Sequence, residues 1–239
     1  LALNTHDVMK IAAISLMVVD HIGFYFLADN LWFRLIGRGA APLFFFLIGY
    51  AGKLHLTWML VLYGCALSIS GFLVNGLTQI NILLTFVALH FALRYFPAEK
   101  LGFIARMIMF IFCSILTVFT YDYIEYGLLG FLIGYSGRFI ALKENFADLW
   151  LIAALAIYFI WECLNFGFNV YPKMLIVFSM FIVTLYVVMS RFRQATLPCP
   201  TWLLTPLLVL SRYSLEIYFF HLIALQSYRF LQIGANIVQ

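Results

Sequence analysis

Val18-Val19-Asp20-His21-Ile22-Gly23 places an acid and an imidazole inside an apolar run that extends from about Val8 to Leu27. A helix needs ~20 mostly apolar residues to cross ~30 Å of hydrocarbon, and this run is long enough. The next apolar run, about Leu31 to Ala51, carries Arg38 within Gly37-Arg38-Gly39-Ala40-Ala41-Pro42. Ionisable side chains at membrane depth are costly and mark functional sites by default. The two stretches together read as the floor of a site inside a membrane protein.

The composition agrees. The 239 residues are 65% apolar and 10% charged, against about 25% charged residues in a soluble domain. The chain reads as all-α: a polytopic integral membrane helical bundle forming one transmembrane domain over residues 1–239, with the lipid bilayer as its solvent. The net charge of +4 is too small to argue for nucleic acid. Cys65, Cys113, Cys163 and Cys199 make no C-x-x-C spacing, and no H-E-x-x-H, G-x-S-x-G or P-loop pattern occurs. No metal is expected. The first apolar run does not read as a signal peptide, because Asp20-His21 interrupts it and no small-residue cleavage pattern follows.

Turn signals divide the remainder. After the first two runs come spans from about Leu56 to Val74, Thr78 to Tyr95, Leu101 to Thr120 and Ile124 to Leu142. Asp148 to Phe166, Lys173 to Ser190 and Trp202 to Tyr228 follow. The expectation is about nine transmembrane helices, within a range of ~8–10. Gly127, Gly130, Gly134 and Gly137 mark the sixth span as one that packs closely against neighbours. With a cytoplasmic N-terminus, Lys10, Lys53, Arg94, Lys100, Arg106, Arg138, Lys143, Arg191 and Arg193 fall on the inner side. Only Arg34, Lys173 and Arg229 fall on the outer side. The positive-inside rule favours that orientation.

At ~1.5 Å per residue, Asp20 and His21 lie near mid-membrane, with Arg38 ~10 Å in from the outer side. Adjacent helical residues point ~100° apart, so Asp20 does not hold the His21 ring. A cross-helix pair with Arg38 is expected instead, and a purely structural ion pair is the competing reading. Arg212 and Glu216 have the spacing to pair on one helix face. His221 faces the other way on a straight helix, alongside Ser214 and Tyr218. Glu162 reads as a snorkelling carboxylate, and His6, His55 and His90 read as interfacial. Asn81 reads equally as a cap or cross-link and as a site residue. A helix restarting at Pro42 would leave free backbone N–H groups and a positive dipole end inside the protein.

Two motifs carry a resemblance. Met17-Val18-Val19-Asp20-His21-Ile22-Gly23 and Gly37-Arg38-Gly39-Ala40-Ala41-Pro42-Leu43-Phe44 resemble the TraX family. Asn81-Ile82-Leu83, Tyr126-Gly127-Leu128-Leu129-Gly130 and His221-Leu222 extend the likeness along nearly the whole chain. The resemblance implies a multi-pass acetyltransferase of the bacterial inner membrane. The implied donor is acetyl-CoA, and the implied acceptor is the N-terminal amine of a pilin or similar small membrane protein. On that reading Asp20, His21 and Arg38 are catalytic, with neutral His21 as general base. Arg38 and the amides near Pro42 would stabilise the oxyanion. Asn81, Tyr126, Arg212, Glu216 and His221 would contact substrate, and Lys10, Gly37, Gly39 and Pro42 the donor. Three rivals remain: a related O-acetyltransferase acting on a glycan hydroxyl, a proton-coupled transporter, which uses the same intramembrane residue types, and a structural assembly factor for a pilus, which would tolerate mutation of every intramembrane charge.

Overall fold

The computed structural model describes residues 2–27, 30–52, 57–76 and 79–237. Asp29, Lys53, His55 and Thr78 lie outside the described residues. Eleven helices follow one another: α1 (Thr5–Phe26), α2 (Leu31–Gly37), α3 (Ala40–Ala51), α4 (Trp58–Asn75), α5 (Ile82–Tyr95) and α6 (Phe103–Thr120), then α7 (Leu129–Leu142), α8 (Ala147–Phe166), α9 (Pro172–Ser190), α10 (Thr201–Arg212) and α11 (Ser214–Ile237). A two-residue strand β1 (Leu3–Asn4) pairs antiparallel with β2 (Thr196–Leu197).

The start of α1 is set by a reciprocal cap. Asn4 Oδ1 accepts from the Asp7 N–H at 2.9 Å, and Asp7 Oδ2 accepts from the Asn4 N–H at 3.2 Å. The same Asp7 accepts from the Ser211 hydroxyl at 2.6 Å, which ties α10 to α1. Orphan N–H groups of the first turn are thereby satisfied.

Among the described residues, six helices are long and apolar enough to cross a membrane. They number seven if α10 and α11, bent by 68°, count as one broken span. The expected nine reduces accordingly, and two shorter apolar helices, Trp58–Val74 and Leu129–Leu142, account for the difference. At ~1.5 Å per residue, α7 reaches only ~21 Å. It needs no more, because protein surrounds it.

The inner layer is α3 against α7. A Cβ on Gly49 would sit 1.7 Å from the Gly134 carbonyl oxygen, and one on Gly130 would sit 2.3 Å from the Phe45 ring. Glycine is required at Gly49 because two helix backbones touch there, and at Gly130 because the Phe45 ring lies against the helix. The outer layer includes α6 and α9, which turn Ile108, Ile115, Ile176 and Val183 outward. That suits surroundings of lipid rather than water.

Four of the apolar runs differ from the sequence reading. The second run is one span interrupted at Arg38–Gly39, with helix resuming at Ala40 rather than Pro42. The fourth run becomes helical only at Ile82. Ile80 instead pairs with Ile124, donating to Tyr123 O at 2.7 Å and accepting from Glu125 N at 3.0 Å. That stitch keeps residues 121–128 out of a helix, so α7 starts at Leu129 and not at Ile124. The last run breaks at Tyr213, with Arg212 ending α10 and Glu216 in the first turn of α11.

Candidate active site

Asp20 lies on α1 where α2 comes closest. A Cβ on Gly37 would fall 2.2 Å from Asp20 Cβ, so only glycine admits this approach. Arg34 and Arg38, one helical turn apart, both reach the carboxylate. Arg34 Nη1 donates to Asp20 Oδ2 at 2.8 Å and to the Asp20 carbonyl at 3.2 Å. Arg38 Nη2 also bonds Oδ2, and its Nε donates to Oδ1 at 3.3 Å. The expected cross-helix pair is present, with a second arginine added.

Arg38 is enclosed further. Its Nη1 stands 3.8 Å from Glu162 Oε2. Its carbonyl accepts from the Tyr158 hydroxyl at 2.7 Å. Its guanidinium lies over the Phe166 ring at 4.8 Å and the Tyr126 ring at 5.5 Å. Asp20 is 6% exposed, Arg38 5% and Glu162 0%. Glu162 is therefore not a snorkelling residue: α8 turns it inward, towards the guanidinium. Arg34 is likewise part of the site and not an outer-surface charge.

His21 points to α11. Its Nδ1 is 2.6 Å from His221 Nε2, and His221 Nδ1 is 2.8 Å from the Ile217 carbonyl. A carbonyl only accepts, so His221 Nδ1 carries a proton. In the neutral pair His221 Nε2 then accepts from His21 Nδ1–H. This assigns His21 the tautomer whose Nε2 holds a free lone pair. Tyr218 lies beside both rings, with centroids 5.9 and 5.8 Å away.

Two cavities meet at this point. The first, of about 380 Å³, is lined by Lys10, His90, Arg212 and Glu216 together with Met17, Phe44, Phe86 and other apolar side chains. The second, of about 270 Å³, is lined by Arg34, Arg38, Gln79, Tyr121 and Gln226 among others. Asp20, His21, Glu125, Tyr126 and Tyr218 line both. Lys10 lies near the start of α1, and Phe24 near its end, so the cavities approach the shared floor from opposite ends of that helix.

The floor is built by the stitched links. Asn81 caps α5 by accepting from the Leu83 N–H at 3.0 Å, and its Nδ2 donates to the Tyr218 hydroxyl at 3.2 Å. Glu125 Oε2 accepts from the Ile82 N–H at 2.8 Å. Tyr126 has φ +65° and Gly127 φ +50°. A tyrosine in the left-handed region stores backbone strain, which persists only where the surroundings over-determine it. Here the surroundings hold Tyr126 in that conformation, with its ring beneath Arg38.

The remaining expected residues divide. Lys10, Gly37, Arg212 and Glu216 line the first cavity, as does His90, which had read as interfacial. Arg212 and Glu216 form no ion pair, since the break at Tyr213 separates their faces. Gly39 and Pro42 line neither cavity. A Cβ on Gly39 would meet the Phe181 ring at 2.4 Å, so this glycine packs α3 against α9. Glu125, Tyr158, Tyr218 and Arg34 were missed as site residues. Arg34 carried a usable signal in its four-residue spacing from Arg38, and Tyr218 in the helix face it shares with His221. Among the described residues no three His, Cys, Asp or Glu side chains gather as metal ligands.

A family model described as TraX protein matches residues 5–229. The protein RP591 of Rickettsia prowazekii (strain Madrid E), described as uncharacterized, is 30% identical over 161 residues. That alignment covers 65% of this chain and 62% of the relative, so the chain spans less than two thirds of the relative's length. No solved structure matches.

Proposed function

The chain belongs to the TraX family, and on that premise we propose that it is an acetyltransferase of the bacterial inner membrane. It moves an acetyl group from acetyl-CoA to the N-terminal amine of a pilin-like protein. The observation that carries this reading is the pair of cavities approaching one histidine from opposite ends of α1. An enzyme whose two substrates come from opposite sides of a membrane needs that arrangement.

The donor side is the first cavity. Its apolar wall (Met17, Phe44, Phe86) and its cations (Lys10 and Arg212) fit a thin acyl-carrying arm that ends in phosphates. Lys10 is on the side where basic residues concentrate, the cytoplasmic side under the positive-inside rule. The thioester supplies an activated acetyl carbon. The acceptor side is the second cavity, where the Glu125 carboxylate takes the first proton of an incoming ammonium and leaves the neutral amine to attack.

His21 Nε2 takes the proton that the attacking amine sheds as the C–N bond forms. It returns that proton to the thiolate released when the C–S bond breaks. An α-amine has a pKa of ~8, so modest base assistance suffices. His221 keeps His21 in the working tautomer. Arg38 supplies positive charge to the oxygen that becomes negative in the transition state, and Asp20 holds its guanidinium in place.

The test is mass spectrometry of a co-expressed pilin-like protein. An acetyl increment should appear with the wild type and vanish with His21→Ala; no increment with the wild type sinks the reading. A proton-coupled transporter is the second reading, favoured by the same two-sided access to an ionisable floor.

A further inference from the structure

Gln226 is not used by the mechanism above. It lies on α11, is 4% exposed, and lines the second cavity. Its Oε1 has no hydrogen-bond partner among the described residues. Buried amides are nearly always paired, so an unpaired one inside a cavity wall points to a ligand.

The ligand chemistry follows from the group. A side-chain amide presents a donor and an acceptor side by side. A residue of extended main chain offers the complementary set, because its own N–H and C=O point to the same side. Opposite Gln226 stands Gly71 of α4, where an added Cβ would have only Gln226 Nε2 within 4 Å, at 3.7 Å. Both residues line the second cavity, so the space beside the amide belongs to it.

The depth gives the register. Five residues separate His221 from Gln226 on one helix, a rise of ~7.5 Å. An extended chain advances ~3.3–3.6 Å per residue. With the reacting nitrogen at His21, beside His221, Gln226 stands about two residues along the acceptor.

We propose that Gln226 is a specificity-determining residue that pairs with the acceptor's main chain through the N–H and C=O of its third residue. This rests on the second cavity being the acceptor side. It deepens that reading, because a glycan acceptor has no peptide bond to offer.

The test is direct binding to the purified full chain in lipid nanodiscs. The probes are an alanine-based hexapeptide with a free α-amine and the same peptide N-methylated at the bond between residues two and three. Gln226→Leu should weaken the plain peptide on the order of tenfold, the scale of a lost hydrogen-bonding pair. The N-methyl peptide should bind the wild type more weakly than the plain peptide and lose less in the variant than the plain peptide does, because one of the two bonds is already gone. Gln226→Glu, which keeps the shape and loses the donor, should fall between. Equal weakening of both peptides, no weakening of either, or no binding of the plain peptide to the wild type overturns the proposal. Acetyl transfer is scored separately with acetyl-CoA. Binding that follows this pattern without transfer refutes the acetyltransferase and leaves the pairing standing.

Discussion

His21 on α1 and His221 on α11 join through ring nitrogens 2.6 Å apart, and His221 is in turn anchored to the Ile217 carbonyl at 2.8 Å. The pair gives the two histidines unequal tasks. His21→Ala should lower acetyl transfer by about 10²–10⁴-fold, the usual worth of a general base. His221→Ala should cost less and be partly recovered by His221→Gln, whose carbonyl can still accept from His21. Initial rates with labelled acetyl-CoA check this ranking; equal losses for both alanine variants would make the pair a two-base site.

Asp20 and Glu162 both face Arg38, at different ranges. Asp20 is hydrogen-bonded by two arginines, whereas Glu162 is 3.8 Å from one. Breaking a buried, hydrogen-bonded ion pair costs about 3–5 kcal/mol. Asp20→Asn should therefore lower the thermal midpoint in detergent well below that of Glu162→Gln. A larger drop for Glu162→Gln would reverse the assignment of Asp20 as the anchor.

Arg38 reaches Asp20 through both Nε and a terminal nitrogen. Lysine has one point charge and no fork. Arg38→Lys should reduce transfer nearly as far as Arg38→Ala, read as kcat under saturating donor. A well-tolerated lysine would leave Arg38 as a counter-ion only.

Gly49 touches the Gly134 carbonyl, while a Cβ on Gly102 meets nothing within 4 Å. Overpacking a tight interior contact costs about 1–3 kcal/mol. Gly49→Ala should show that loss in a denaturation titration, and Gly102→Ala should not. Matching stabilities would mean that α3 and α7 slide apart without penalty.

CoA should raise the thermal midpoint of the wild type, since a ligand that binds only the folded state stabilises it by mass action. Lys10→Ala together with Arg212→Ala should remove most of that gain and leave the unliganded midpoint nearly unchanged. A transporter has no reason to respond to CoA, so a flat wild-type response favours that reading.

The identity of the fold class was legible from apolar runs because the hydrocarbon thickness sets a length that a chain must meet. Asp20, His21 and Arg38 were legible for the opposite reason: a charge inside such a run is expensive enough to be noticed. Helix geometry also separated Asp20 from His21 and gave Asp20 its partner on the next span. Glu162 was read as a surface group because it sits near the end of an apolar run, and sequence does not say which way an end residue turns. Glu125 was passed over because nothing local distinguishes it. Its place depends on the pairing of Ile80 with Ile124, two residues far apart in the chain.

The sequence alone determined that this is a helical membrane protein of the TraX kind with an ionisable interior, since periodicity, run length and motif are local properties. Only the tertiary structure decided that His21 meets His221, that two arginines share Asp20, and that the last apolar run breaks between Arg212 and Glu216. Those facts depend on which helix faces which. That choice is made by close contacts such as Gly37 on Asp20 and Gly49 on Gly134, whose partners lie beyond the reach of any local pattern.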